Sequence, residues 1–230
     1  MIPAFAAAGA SPDSAVTLSL QGGGSSAVKL FLLLTVLSFA TSLLISVTSF
    51  TRIIIVLSFL RQALGTQQLP PSQVMVGLAL VLSGFVMAPT GTKVWEQSLQ
   101  PYLEDKITTP EAIDRASGPV RTFLLRQTRE QDLALFYDIA GRERPARGEA
   151  IPLTIAAPAF MVSELTTAFR MGLFLYIPLL LVDVMVAGIL MSLGMMMVPP
   201  PLVSLPVKVA VFVMADGWRL VVASLVRSFS

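Results

Sequence analysis

The sequence predicts an all-α protein of a membrane complex, in which long apolar helices form hairpins and a small polar helical section lies between them. Three observations favour this fold class. Charged residues make up 13% of the 230 residues and hydrophobic residues 54%, whereas a typical soluble domain has about 25% charged residues. Several uncharged runs reach about 20 residues, the length that a helix needs to cross a hydrocarbon core of about 30 Å. Nineteen of the charged residues fall within residues 93–149, so the polar part of the chain is one segment.

The residue types that the sequence lacks exclude several classes of protein. The chain has no cysteine and no histidine, which rules out disulfides, thiolate nucleophiles, histidine bases and most zinc sites. The acidic residues do not cluster at ligand spacing, so we predict no metal, no cofactor, no catalytic residue and no enzymatic activity. A net charge of +2 is too small to indicate a basic nucleic-acid-binding surface.

The N-terminal third is predicted to contain an arm followed by apolar helices. Residues 1–27 are rich in Ala, Gly and Ser and are expected to form a flexible arm. Residues 28–92 are interpreted as N-terminal apolar helices, in which the uncharged run 30–51 is long enough for a first span. Arg52 follows directly, and a lone arginine inside a membrane costs roughly 2.5–3.5 kcal/mol on insertion scales. Unless Arg52 only marks a helix end, its polar face is therefore expected to contact protein rather than lipid.

Prolines and glycines delimit the second apolar helix. The pair Pro70-Pro71 predicts a turn. Residues 73–92 are the second uncharged helix candidate, and we expect Pro89 and Gly91 to end it.

Residues 93–149 are predicted to form a polar helical section on the side of the membrane opposite the cytoplasm. Thr108 and Glu111 have the spacing of a capping box, which indicates that a helix begins there. Residues 119–140 are predicted to form one amphipathic helix, because their apolar residues recur at helical spacing. The section holds nine basic and ten acidic residues, so the excess of positive charge typical of cytoplasmic loops is missing.

Residues 150–230 are predicted to form an apolar helical hairpin with a methionine-rich bend. Pro178 is expected to divide the first arm, residues 151–198, because proline removes a backbone donor and clashes with the preceding turn. Three further prolines at 199–201 end any helix. Residues 206–227 form the returning arm.

Two of the charged residues within this hairpin, Asp183 and Lys208, have opposite signs and lie on either side of its bend. Asp183 at a bilayer centre would cost about 3 kcal/mol, and Lys208 lies at a comparable distance beyond the bend. We hypothesise that they form a buried ion pair, within one chain or between subunits, which fixes the register of the last two helices. Separate pairing of each charge with backbone groups or other chains is the alternative.

A run of three methionines, Met195 to Met197, lies at the bend between a glycine and the prolines. Methionine is a flexible filler that most often packs in a core. Its position at a chain reversal favours a loop instead. A ring of such loops from several subunits would seal a closed pore against water and ions, yet yield to a passing chain.

Four blocks of the sequence resemble the FliP family of flagellar type III export-gate proteins. They are TSFTRIIIVLSFLRQALGTQQLPPSQV (48–74), QTREQDLALF (127–136), PAFMVSELTTAFRMG (158–172) and PLLLVDVMVAGILMSLGMMMVPP (178–200). The resemblance runs from about residue 30 to the C-terminus, and ordered blocks of this length are specific. Arg52 in its SFTRI context is closer to the flagellar branch than to the virulence-secretion relatives.

The resemblance implies an assembly. Several copies, five in the family, would assemble helically with FliQ and FliR, and FlhA and FlhB would engage this complex. The assembly would conduct unfolded flagellar export substrates across the bacterial inner membrane within the flagellar basal body. Met195, Met196 and Met197 would form its gasket, and Asp183 and Lys208 an inter-subunit ion pair. Assembly or structural roles would fall to Arg52, Phe136, Glu164, Gly194, Pro199 and Pro200.

Two other functions fit the composition. A proton-coupled small-solute transporter would use the membrane charges as a proton relay and would show repeats with discontinuous helices in two halves, and the sequence shows no such repeat. A non-conducting assembly scaffold would differ from the gate only in lacking conductance. The sequence has no GxxxxGK[ST] nucleotide-binding motif, so partners would have to supply the driving force for export.

Overall fold

The computed structural model describes residues 25–66, 70–143, 151–195 and 197–229. Every regular element in these ranges is a helix, which confirms the predicted all-α fold class. The helices are α1 (Ser25–Ser46), α2 (Phe50–Ala63), α3 (Ser72–Val94), a π-helical turn (Trp95–Leu99), α4 (Gln100–Leu103), α5 (Thr109–Gln127), α6 (Glu130–Ile139), α7 (Leu153–Ser192), α8 (Pro200–Met214) and α9 (Gly217–Arg227). Most of the predicted N-terminal arm, up to residue 24, lies outside the described residues.

Contacts divide the chain into two units, Met1–Ser42 and Leu43–Ser230. The described part of the first unit is the beginning of α1, which carries exposed apolar side chains such as Phe31, 70% exposed, and Leu33, 62% exposed. Apolar surface of this extent marks a site of contact with lipid or with another protein.

The uncharged run 30–51 is not one helix, contrary to the prediction from its length, because α1 ends at Ser46 and α2 begins at Phe50. The Thr48 hydroxyl accepts a hydrogen bond from the Phe50 backbone N–H at 3.4 Å. The hydroxyls of Ser49 and Ser83 share a buried hydrogen bond of 3.0 Å. Hydroxyl side chains that bond to nearby backbone groups compete with the helical ladder, so hydroxyl residues in an uncharged run can support a turn.

The largest core of the second unit forms around α2, which packs against α3 and α7. The buried residues that α2 contributes recur at the helical spacing of three and four that places side chains on one face. They include Ile53, Val56, Leu57 and Leu60, each at most 1% exposed. The two flanking helices are therefore positioned by one continuous apolar stripe of α2.

Gly172 allows α7 to approach α2 closely. A Cβ atom at this position would lie 2.5 Å from the Phe59 ring, whereas one at Gly188 on the same helix would meet nothing within 4 Å. We predict that Gly172→Ala destabilises the protein by about 1–3 kcal/mol through overpacking. Gly188→Ala should instead be neutral or stabilising by up to about 1 kcal/mol, because alanine favours helix. Chemical denaturation of the two variants measures the difference, and equal behaviour would show that α7 does not pack on Phe59 in solution.

Two helices continue through prolines that were expected to end or divide them. Helix α3 contains Pro89 and passes through the π-helical turn into α4, and α7 is continuous over 40 residues through Pro178. A proline costs about 3 kcal/mol in a helix interior. In α7 this cost is outweighed by packing on both sides of the proline, where Gly172 and Leu179 are buried.

The described residues contain two helices that are long and apolar enough to cross a membrane, Ser72–Leu103 and Leu153–Ser192. Helices α8 and α9 would make a third if the bent pair is counted as one span. The axis of this pair bends by 64°, so the returning arm predicted over 206–227 is not one helix. At the bend Asp216 has a left-handed backbone with φ +50°.

Residues 119–140 of the polar section are divided between two helices, whereas the sequence predicted one helix there. Helix α5 ends at Gln127 and α6 begins at Glu130. Between them the Arg129 backbone N–H donates to the Ser163 hydroxyl of α7 at 3.0 Å, so a tertiary contact replaces an intrahelical bond. The predicted helix start at Thr108 is confirmed, since its N–H donates to the Glu111 carboxylate at 2.9 Å. This hydrogen bond lowers the pKa of Glu111.

Candidate functional site

The first candidate site is a buried salt bridge between Arg52 of α2 and Glu164 of α7. Arg52 is 2% exposed and Glu164 is fully buried. The Arg52 Nε atom donates to Glu164 Oε2 at 3.0 Å, and Nη2 contacts Oε1. This two-point geometry between a guanidinium and a carboxylate is the strongest form of side-chain ion pair.

Further groups complete what we call the Arg52 cluster. Arg52 Nη1 donates to the backbone carbonyl and the hydroxyl of Ser228, both at 2.9 Å, and Nη2 donates to Gln127 Oε1 at 3.2 Å. The guanidinium carbon lies 3.9 Å from the centre of the Phe229 ring, a cation–π distance. Gln127 in turn donates to the Phe229 carbonyl at 3.0 Å. One arginine therefore connects α2, α5, α7 and the segment that follows α9.

The second candidate site, the Asp183 cluster, lies between the two arms of the α7–α8 hairpin. Lys208 Nζ donates to Asp183 Oδ2 at 2.6 Å and to the Ala63 carbonyl at the end of α2 at 2.9 Å. The Ser204 hydroxyl donates to Asp183 Oδ1 at 2.6 Å. Lys208 is 5% exposed, whereas the Asp183 side chain is 32% exposed.

In this structure Asp183 and Lys208 meet within one chain. The contact is possible because α7 and α8 run side by side from a shared bend, so residues at similar distances from the bend face each other. It holds the hairpin arms in register and attaches them to α2. Pairing of these residues between subunits stays a prediction.

The bend of the hairpin is the methionine loop, residues 193–199, of which Met196 lies outside the described residues. Gly194 has φ +73°, a conformation that favours glycine. The N–H groups of Gly194 and Met195 donate to carbonyls of the last turn of α7 at 3.0 and 2.9 Å, which is the Schellman ending of a helix. Pro199 is the residue before α8, and Pro200 is the first residue of that helix, where a missing N–H has no cost.

The described methionines of this loop face outward. Met195 is 46% exposed and Met197 is 95% exposed. The chain alone therefore does not bury them, and the loop presents flexible apolar side chains at the tip of a braced hairpin.

A third polar group attaches the polar section to α7 and was not predicted from the sequence. The Ser163 hydroxyl donates to the Asp132 carboxylate, and Arg129 Nε donates to the same oxygen at 2.8 Å. Phe136, for which the family resemblance implies an assembly role, lies on the same helix as Asp132 and packs with Leu133, Tyr137, Ile155 and Ala159. Ser163 precedes Glu164 on α7, so α7 carries two adjacent polar residues that bind different elements.

No group of three or more acidic residues that could hold a metal ion occurs among the described residues. The clusters above are built from satisfied ion pairs and hydrogen bonds. In each ion pair a charge is balanced by a partner of opposite sign, and the contacts hold neighbouring helices together.

Comparison with known proteins assigns the family. A FliP family model matches residues 33–225. The flagellar biosynthetic protein FliP of Bacillus subtilis is 51% identical over 205 residues, which cover 89% of this chain and 93% of that protein. FliP of Pectobacterium carotovorum is 50% identical over 217 residues, covering 93% and 84%, and FliP of Caulobacter vibrioides is 47% identical over 225 residues, covering 96% and 85%. The chain therefore belongs to the FliP family of flagellar biosynthetic proteins, components of the flagellar export apparatus.

Proposed function

We propose that this chain is a pore-forming subunit of the flagellar type III protein export gate, through which unfolded flagellar substrates cross the bacterial inner membrane. The observation that carries the proposal is the α7–α8 hairpin. The Asp183 cluster holds the two arms of the hairpin together, and the tip of the hairpin presents exposed methionines.

The methionine loop acts as the gasket in this proposal. Met197 exposes 95% of its surface, and removing apolar surface from water is favourable. Loops from several copies arranged around an axis would bury these side chains against one another. Because methionine is unbranched and flexible, such a ring can close tightly and still deform around a passing chain.

Further copies of this chain, together with FliQ and FliR, would surround the apolar helices. Exposed apolar side chains along α7 include Phe174 at 78% and Met185 at 67%. The charges of α2, α7 and α8 that lie in the two clusters already have partners within the chain. A pentamer with FliQ and FliR would therefore gain apolar contacts without having to compensate those charges, and FlhA and FlhB would engage the assembled gate.

The polar section would lie on the periplasmic side of the inner membrane. It follows α3 and precedes α7, the two helices that are long and apolar enough to cross a membrane. Both ends of the section would then lie on one side of the membrane, and its balanced charges favour the side opposite the cytoplasm.

The gasket assignment is tested by ion conductance of the assembled complex in planar bilayers. We expect replacement of Met195, Met196 and Met197 by glycine to produce current steps in a complex that is otherwise closed, because glycine cannot fill the pore. The matched control is Met214→Gly, which removes a methionine that is 87% exposed at the end of α8 and should leave the complex closed. Unchanged leakage in the triple variant would favour a non-conducting scaffold.

A further inference from the structure

Arg170 is an exposed cation on α7, one of the helices that are long and apolar enough to cross a membrane. Among the residues that the structure describes, it enters no ion pair. The side chains three, four and seven positions further along lie on the same helical face and are exposed: Leu173 at 55%, Phe174 at 78% and Ile177 at 44%. Arginine is among the costliest residues to insert into a hydrocarbon core. The surface that covers this face is therefore expected to supply an anion.

The chain itself offers one available carboxylate in this region. From α7 to the end of α9 it contains three acidic residues, Glu164, Asp183 and Asp216. The first two already have a cation in their clusters. Asp216 lies at the corner between α8 and α9, and 65% of its side chain is exposed. Its contact with Arg219 of the same chain is long, 3.7 Å, and exposed, so this contact contributes little.

The two polar clusters fix how α8 and α9 follow α7. Ser204, near the start of α8, donates to Asp183 at 2.6 Å. Arg52 donates both to Glu164 of α7 and to Ser228 just after α9, at 3.0 and 2.9 Å. The chain therefore passes from the level of Asp183 to the level of Glu164 between residues 204 and 228.

Asp216 and Arg170 consequently lie at similar heights along α7. Asp216 is midway along this stretch, and the corresponding midpoint on α7 lies at Leu173 and Phe174. Arg170 is about one helical turn from that midpoint, or roughly 5 Å. Within the described residues of one chain the two side chains form no ion pair. Two copies placed side by side at about the same height would bring the opposite charges together.

We propose that Arg170 of one copy pairs with Asp216 of a neighbouring copy of this chain, so that the apolar face of α7 packs on the α8–α9 corner of its neighbour. The corner offers matching apolar surface, since Val213 is 67% and Leu220 is 58% exposed. Because two different surfaces meet, the contact repeats from copy to copy and closes into a ring or continues as a helix. The inference rests on the multi-copy gate proposed above and names one contact that holds its copies together.

Dissociation of the detergent-purified complex on dilution, followed by native mass spectrometry, tests this contact. Arg170→Gln and Asp216→Asn should each raise the dissociation constant between copies about tenfold, the order found for coupled residue pairs. The double variant should be no weaker than either. Asparagine also adopts the left-handed backbone of Asp216, so the corner is preserved. The control Arg219→Gln removes the partner of Asp216 within the chain and should stay within about twofold.

Disulfide formation shows whether the contact joins two copies. The chain has no native cysteine, so Leu173→Cys/Ala215→Cys introduces the only thiols, at exposed positions near Arg170 and Asp216. Oxidation of the assembled complex should give a ladder of covalent multimers. Each single-cysteine variant is the matched control, because it can give at most a dimer.

Additive effects of the two charge variants would overturn the inference, because Arg170 would then bind another anion, such as a lipid headgroup. Oxidation that yields only monomers would overturn it as well, because the contact would then lie within one chain. Either result in a complex that still assembles leaves the gate proposal intact. A wild-type chain that forms no multimer would overturn both.

Discussion

Replacing Arg52 with alanine is expected to destabilise the folded chain by about 3–5 kcal/mol, because Glu164 would remain buried without its counter-charge. Glu164 is fully buried and cannot recover hydration by a small movement. The change would also remove the cation from the Gln127 and Ser228 oxygens, which now accept its hydrogen bonds. Glu164→Ala should have an effect of similar size, since it leaves the guanidinium buried.

Thermal unfolding of the detergent-purified protein measures this effect. For a chain of this length, 3–5 kcal/mol corresponds to a decrease in Tm of roughly 6–20 °C. Arg61→Ala is the matched control on the same helix, because within the described part of the chain the Arg61 side chain donates only to the exposed Ser72 hydroxyl, at 3.0 Å. Arg52→Lys should lie between the two, since lysine keeps the charge but not the two-point geometry. If Arg52→Ala melts like Arg61→Ala, the Arg52 cluster does not hold the fold together.

The second large effect is expected at the Asp183 cluster, and it is asymmetric. Asp183→Ala would leave Lys208, 5% exposed, as a buried charge whose one remaining partner among the described residues is the Ala63 carbonyl. This change should cost about 3 kcal/mol or more. Lys208→Ala should cost less, because the Asp183 side chain is 32% exposed and keeps the Ser204 hydroxyl. The yield of assembled complex and the Tm of each variant measure the two effects. A larger loss for Lys208→Ala would contradict the geometry.

Two rescue experiments test the Asp183–Lys208 pair, and the second shows whether it forms within one chain. The double variant Asp183→Lys/Lys208→Asp should recover part of the loss, but an aspartate at 208 cannot donate to the Ala63 carbonyl, so recovery stays incomplete. Co-expression of separate Asp183→Ala and Lys208→Ala chains gives the sharper result. The 2.6 Å contact within one chain predicts no rescue, because neither chain has both partners. Rescue would show that the pair forms between subunits.

The sequence indicated that charges in the apolar helices need protein partners, but it identified only one of the two buried ion pairs. Charge-poor composition and isolated charges in apolar runs require that protein surrounds the charges, and Asp183 and Lys208 could be matched because they flank one bend. Arg52 and Glu164 lie far apart in the sequence, and nothing local indicates that α2 packs on α7 there. The sequence showed only that Arg52 and Glu164 have opposite charges and that each lies in an apolar run.

Helix boundaries were less predictable because tertiary contacts decide them. Pro178 marks a break by local rules, yet packing of α7 on both sides maintains the helix. The dipeptide Asp216-Gly217 is a turn signal that averaged hydropathy hides within an apolar run. The break before α6 depends on the Ser163 hydroxyl of a distant helix, which no pattern within residues 119–140 could reveal.

A cryo-electron microscopy map of the assembled complex in lipid nanodiscs tests the central claim most directly. We expect protein density on every side of the Arg52 and Asp183 clusters, with the methionine loops of several copies converging on one axis. Acyl-chain density against Lys208, or methionine loops that point away from any shared axis, would contradict it.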